Sequence, residues 1–532
     1  MLIDGRTIPS GHTLQTDVCI VGAGAAGLAL ATELAGQRFR VLLLESGGLD
    51  SDGETQGLYD GSAVGLPYYP LAAARLRYFG GSTNHWSGLC WPLTDADFEY
   101  RDWIPYSGWP FAKTAIVPYY KRALAVVQLE HDEWAPEFWA EPDKPVLPLT
   151  GGRMVTVVRQ RAWPDGHRLL FGQVYRDRVV QASNVTACLH SNALRIDTND
   201  SGQRVTRIQA ATLAGNRFSI AAKRYVLASG GIENARLLLL STATQPAGVG
   251  NQHGLVGRFF LEHPHCVAAI VRPSNPYLPI RLYQYHRVKG TLMSAGLGLT
   301  EAVRRRERLV SVSLDLEPIY EELYARAWAS SGMASLRRML TRLRRGDLPE
   351  DIGEHLGNVA GDLDDVVVSA YAKVRFGNDY PLDRLKVIAT IDPAPNPESR
   401  ITLGTDLDQL GQRRVKLDWR LSHIDKRSVR RTVELLAMEL GQAGLGRLQM
   451  LIDDSPTSWP ADFVGAWHHM GTTRMSHDPR LGVVDANCRV HGVSNLFVAG
   501  SSVFPTAGSG TPTLLLVALA LRLAEHLKAQ LR

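Results

Sequence analysis

The sequence predicts an α/β chain, α+β overall. One domain is wound on a parallel sheet, and a second is built on a mainly antiparallel sheet with helices. Three observations predict this. Residues 17–48 read strand, glycine turn, helix, strand, acid. Two later apolar strands, at 225–228 and 496–498, are each closed by glycine and followed by a helical run. Residues 266–316 and 386–403 carry further strand-like runs, outside those βα units.

The opening unit carries the strongest signal. Val18, Cys19, Ile20 and Val21 form an apolar run ended by glycine, as in a buried parallel strand. Gly22, Gly24 and Gly27 follow as G-x-G-x-x-G. The first makes the tight turn, the second admits a pyrophosphate to the backbone, and the third lets the helix pack on the strand. Leu28 to Leu34 is helical in composition, with Gly36 as a stop. Arg40 to Leu44 reads as the second strand. Glu45 closes it, 18 residues after Gly27, where such a unit places a ribose-binding carboxylate. Together these make a Rossmann-type dinucleotide site, and the motif leaves NAD and FAD both open.

At 532 residues the chain exceeds one core, so at least two domains are expected. Hydrophobic content of 45% and charged content of 21% are ordinary for a soluble globular protein. A net charge of +5 over this length does not argue for nucleic acid, and none is expected as a partner. No long uncharged apolar run suggests a membrane span. The first 15 residues have neither the basic region nor the apolar stretch of a signal peptide, so a cytoplasmic location is expected. Five scattered cysteines without C-x-x-C argue against structural zinc and a disulfide framework.

Leu49 to Pro70 reads as an irregular loop. Then comes Tyr78-Phe79-Gly80-Gly81-Ser82-Thr83-Asn84-His85-Trp86-Ser87-Gly88, whose paired glycines and small hydroxyls allow a planar ligand close to the backbone. With the opening motif, this segment resembles the glucose-methanol-choline (GMC) oxidoreductases, FAD enzymes that oxidise alcohols. In the pyranose oxidases of that family a G-G-x-S-T-H-W segment carries a histidine bonded to the flavin. His85 occupies that place, and Asn84 stands where the family has threonine. A covalent link and a histidine packed unlinked beside the flavin both stay open. The resemblance further implies flavin contacts from Gly80, Gly81, Ser82, Asn84, Trp86 and Ser87, the last near the N5–O4 edge. It implies others from Ser46, Ala228, and the backbone of Ala193 at the adenine.

The rest of the chain follows that frame. The expected parts are 1–95, 183–262 and 462–532 for the FAD-binding domain, and 96–182 and 263–461 for the substrate domain. Ile116 to Val127 is an amphipathic helix, and Met154 to Val180 suggests sheet. Asn184 to Ile196, Arg204 to Thr212, Arg217 to Ala221 and Tyr225 to Ala228 read as strands. His263 and His265 have a metal-ligand spacing, but no third ligand is near, so they read as structural and no metal site is expected. A basic amphipathic helix surrounds Leu336, Met339, Leu340 and Leu343, with five arginines through Arg345. It reads as a solvated helix rather than a membrane or partner surface. Asp425 to Ala443 is a helix and Asp453 to Trp459 a linker.

The C-terminal region is the second strong signal. Trp467-His468-His469-Met470-Gly471-Thr472-Thr473-Arg474-Met475 precedes the 496–498 strand, then Ala499-Gly500-Ser501 and Gly510-Thr511-Pro512-Thr513. The family ends similarly, which implies flavin contacts from Gly500, Ser501, Pro512 and Thr513. Alcohol oxidation needs a base for the hydroxyl proton, and a neutral imidazole suits it. If Ala466 to Met470 is extended, the two histidines point to opposite faces. His468 matches the family's catalytic position, which leaves His469 as support or core. Thr511, 43 residues on, stands where the family usually has asparagine or histidine and can orient at best. The expected function is oxidation of a sugar or glycoside hydroxyl, with a non-sugar alcohol or an aminoglycoside as the alternative. An NAD dehydrogenase leaves residues 79–88 and 466–513 unexplained, and the paired histidines argue against a passive flavin carrier. The electron acceptor (oxygen, a quinone or a redox protein) and the oligomeric state stay open.

Overall fold

The computed structural model describes residues 1–343, 347, 351–376, 381–455 and 458–531. Strand Thr13–Val21 runs through the middle of an eight-stranded sheet among the described residues, its last four residues apolar and buried on both faces. Val41–Leu44 pairs parallel on one side of it and Arg217–Leu227 on the other. Val185–Leu189 and Leu2–Asp4 extend the parallel part. Val205–Ala211 and Asn192–Thr198 form an antiparallel ribbon at the opposite side, and Leu496–Val498 lies parallel to the end of Arg217–Leu227.

Register positions the site. Val21 is level with Leu44 and with Leu227, and Leu227 with Val498. The next residue of each strand is therefore delivered to one edge: Gly22, Glu45, Ala228 and Ala499. Ligands of doubly wound sheets bind at these carboxyl ends. Helix Ala25–Glu33 packs on the C-terminal helix Pro512–Leu531, which also packs on Val117–Val126. Their apolar residues join the core of this sheet.

Among the described residues a nine-stranded antiparallel sheet carries the second core. Its centre is Pro264–Pro273, Leu382–Ile391, Val312–Tyr320, Thr291–Leu299 and Met154–Arg161 in spatial order. Helix His423–Gln442 covers it, with Val429, Val433 and Leu436 buried on one face.

The structure corrects several expectations. The 49–70 stretch holds helix Gly53–Gly57, capped by Asp52, and strand Gly61–Gly65, which pairs with Arg413–Trp419. Only Met154–Arg161 of the 154–180 stretch is strand. Phe171, Tyr175 and Val179, four apart and buried, line helices Phe171–Val174 and Arg176–Gln181. Asn184 to Ile196 splits at His190, which takes φ +54°, into Val185–Leu189 and Asn192–Thr198. Arg217–Leu227 is one strand because the polar Lys223 and Arg224 continue it at the surface. The basic helix spans Ser331–Leu343 and buries Met333 and Met339; Arg344 and Arg345 lie outside the described residues, as do Pro456 and Thr457 of the linker.

Candidate active site

The glycine turn is built by crowding on two sides and openness on the third. Gly22 takes φ +105°, and a Cβ there would lie 2.7 Å from the Ala228 carbonyl oxygen. A Cβ on Gly27 would overlap the Gly22 carbonyl at 1.9 Å, so strand and helix approach as only glycine permits. A Cβ on Gly24 would meet nothing within 4 Å. Gly24 also caps helix Ala25–Glu33 without any side-chain bond to its first N–H groups. An open, uncapped helix N-terminus receives a phosphate well. Glu45 is buried beside this turn. Its carboxylate accepts the Ala23 N–H at 2.8 Å and the Gly47 N–H at 2.9 Å. Burial raises its pKa, against the pull of those N–H groups and of Arg77. Each oxygen keeps a lone pair for a hydroxyl.

The 78–88 segment docks on the same edge. Phe79 N–H donates to the Gly48 carbonyl and Gly80 N–H to the Ala23 carbonyl, both at 2.9 Å. A Cβ on Gly81 would lie 3.2 Å from Gly24 Cα. Asn84 fastens the loop: its amide donates to Phe79 O and accepts from Gly172 N–H, each at 2.9 Å. Its side chain is thus committed to backbone. Trp86 Nε1 donates to Leu169 O at 2.7 Å. The Ser82 hydroxyl accepts the Leu76 N–H at 3.2 Å. Between these anchors His85 and Ser87 are exposed, with the His85 ring edge-on to Tyr78.

Ser46 donates to Asn192 and accepts from Arg77. Ala193 follows Asn192 on the same strand, half-buried. Gly500, at φ +103°, would bring a Cβ to 3.8 Å from Ala26 at the start of the first helix. Ser501 Oγ donates to the His469 carbonyl at 2.6 Å, which ties the histidine pair to the same edge. Pro512 and Thr513 open the C-terminal helix. Thr511, just before it, donates its hydroxyl proton to Leu89 O at 2.7 Å and so can accept but not donate elsewhere.

The histidine pair diverges, though not as a regular strand. Trp467 takes φ +60°, a conformation uncommon for a bulky residue. His469 turns to Tyr68 and Phe260 and is buried. His468 is half-buried, and its Nδ1 lies 2.9 Å from His263 Nδ1. Glu262 braces the corner: Oε1 accepts the N–H groups of His263, Ala466 and His468 at 2.9, 3.2 and 2.8 Å, and Oε2 accepts the Tyr68 hydroxyl at 2.5 Å. Burial lowers all three histidines. His263 falls to about 4, His469 to about 3, and His468 well below 6.5, helped by the neighbouring imidazoles. All are neutral at pH 7. Burial raises Glu262 to about 7, against its hydrogen bonds.

His263, expected from the sequence to be structural, lies edge-on to the His468 ring. It is the partner of His468 across 205 residues. Glu262 and Tyr68 were likewise not legible. Tyr68 falls in a stretch read as loop, and only the order Glu262-His263-Pro264 marks the place. Among the described residues no three His, Cys, Asp or Glu side chains gather as a metal site.

A family model for FAD dependent oxidoreductases matches residues 17–293, and one for GMC oxidoreductases matches residues 395–520. The chain is 24% identical to 6'''-hydroxyparomomycin C oxidase of Streptomyces lividus, covering 96% of this chain and 92% of that one. It is 35% identical to C-glycoside 3-oxidase of Microbacterium trichothecenolyticum over 124 residues, 23% of each chain. In fold it is similar to the crystal structure of pyridoxine 4-oxidase from Mesorbium loti, with a TM-score of 0.55 at 18% identity, over 96% of this chain and 99% of that one.

Proposed function

This chain belongs to the GMC family of FAD-dependent oxidoreductases, and from that premise we propose that it oxidises a secondary hydroxyl of a sugar or glycoside to a ketone, with His468 accepting the hydroxyl proton. Flavin-dependent oxidation of hydroxyl groups is the activity of the enzyme. Its residues fit FAD: the open face at Gly24 and the bare helix N-terminus suit a pyrophosphate, and Glu45 suits a ribose. When bound, FAD supplies the acceptor for the hydride that leaves the carbinol carbon.

The protein supplies the base and its placement. Burial among other imidazoles keeps His468 neutral, so a lone pair is available at neutral pH. Glu262 fixes its backbone and His263 fixes its ring. Its half-buried position, beside the edge where Gly22, Glu45, Ala228 and Ala499 converge, is the observation that carries this reading. His469, spent on Tyr68, supports the corner rather than reacting.

The glycoside reading is supported by the relative named C-glycoside 3-oxidase, while the relative named 6'''-hydroxyparomomycin C oxidase favours the aminoglycoside alternative. Among the described residues no helix is long and apolar enough to cross a membrane. Anaerobic bleaching of the flavin absorbance by a panel of glycosides, aminoglycosides and simple alcohols tests the substrate class. Bleaching by glycosides is expected, and bleaching by aminoglycosides or simple alcohols alone would contradict it.

A further inference from the structure

His263 and His468 meet through like atoms, Nδ1 to Nδ1, with their rings at 88°. One nitrogen must hold the shared hydrogen and the other must receive it. On its far side His263 Nε2 lies 3.0 Å from the Gly508 carbonyl oxygen. A carbonyl only accepts, so His263 Nε2 carries a hydrogen. His263 is buried and neutral, so it has one ring hydrogen, and its Nδ1 is a bare lone pair. The hydrogen between the rings therefore belongs to His468 Nδ1. His468 is neutral as well, so its Nε2 is the bare nitrogen. Gly508 is held in turn: its N–H donates to Asp392 Oδ1 at 2.9 Å, and its φ of +76° suits glycine.

We propose that His263 is a positioning residue for the oxidation, fixing His468 in the Nδ1–H tautomer so that Nε2 is presented as the proton acceptor. This rests on the reading of His468 as the base. A free imidazole prefers its hydrogen on Nε2, which would block that nitrogen. The bond made by one ring nitrogen decides the state of the other. In hydrolase triads a carboxylate performs this service. Here a neutral imidazole performs it and adds no charge. As the alcohol O–H bond breaks, a bond forms from that hydrogen to His468 Nε2. The resulting imidazolium still donates its Nδ1–H to His263.

The test uses holoenzyme labelled with ¹⁵N-histidine, the His468 signals being assigned by their loss in His468→Gln. His263→Leu removes the acceptor at similar volume. His263→Asn returns an amide oxygen near the place of Nδ1. Wild type is expected to show Nδ1 protonated and Nε2 bare. His263→Leu should shift His468 toward the Nε2–H form and slow anaerobic flavin reduction by about 10–10³-fold, below the tautomer cost seen in triads. Its FAD content and substrate Kd should hold, and His263→Asn should recover both the tautomer and most of the rate. An Nε2–H His468 in wild type, or a His263→Leu enzyme reduced at the wild-type rate, overturns the proposal. Should the Leu variant not fold, His263→Gln serves, since its amide reaches toward Gly508 and leaves His468 without an acceptor; a Gln variant as fast as the Asn variant is equally fatal. A bare Nε2 in wild type beside an unaffected His468→Ala would instead overturn the assignment of the base and leave the hydrogen-bond order standing.

Discussion

Tyr68 and His469 share a hydrogen bond of 2.8 Å across 401 residues of sequence. With Glu262 ionised, the phenol hydroxyl donates its own proton to it, so its oxygen accepts from His469 Nε2–H. That nitrogen is thereby occupied, and the buried trio of Tyr68, Glu262 and His469 stands behind His468 as a brace. The brace predicts a pH dependence. Glu262 holds its proton in the folded protein up to about pH 7, because burial disfavours the carboxylate. The unfolded chain releases it near 4.5. A raised acid pKa adds stability at low pH that is lost as pH rises through the folded value. Between pH 4.5 and 7 wild type should lose on the order of 3 kcal/mol relative to Glu262→Gln. Denaturant unfolding of both proteins at pH 5 and 8 measures it, the histidines cancelling in the difference. A stability gap that does not change with pH would contradict the assignment.

Glu45 does two jobs, and its removal should show both. Glu45→Ala leaves the Ala23 and Gly47 N–H groups without their partner, which destabilises the turn by about 1–3 kcal/mol per bond. It also removes the proposed acceptor for the ribose. The FAD Kd should rise roughly 10- to 100-fold, as loss of a charge-assisted bond implies. Equilibrium binding of FAD to the deflavinated variant checks this, and unchanged affinity would place the ribose elsewhere.

His85 is held exposed between two anchored neighbours, Asn84 and Trp86. That fixed presentation suits a bond to the flavin. Acid precipitation should carry the yellow colour into the pellet, and His85→Ala should release it to the supernatant. Colour in the wild-type supernatant would leave His85 as an unlinked contact.

What the sequence discloses follows the range of the interactions. The Rossmann unit is legible because strand, turn and helix are adjacent, and each glycine has a local reason. The C-terminal segment is legible by resemblance alone. The His468 partner is not, because His263 sits 205 residues away and its His-x-His spacing points to a metal rather than to a second histidine. Tyr68 hides for the same reason, its partners lying 194 and 401 residues on. The helices at 171–181 were masked by a mixed apolar–polar pattern that also fits a strand; the four-residue spacing of Phe171, Tyr175 and Val179 was the better guide.

On the proposed reading, His468 takes the hydroxyl proton while His469 supports it. Stopped-flow reduction under anaerobic conditions, with a substrate that bleaches the wild-type flavin, tests it most directly. His468→Ala should retain FAD and slow reduction by roughly 10²–10⁴-fold, the range for a lost general base. His469→Ala should slow it by less, through loss of the Tyr68 contact. The reverse ranking would move the base to His469, and two variants reduced at the wild-type rate would remove it from this segment.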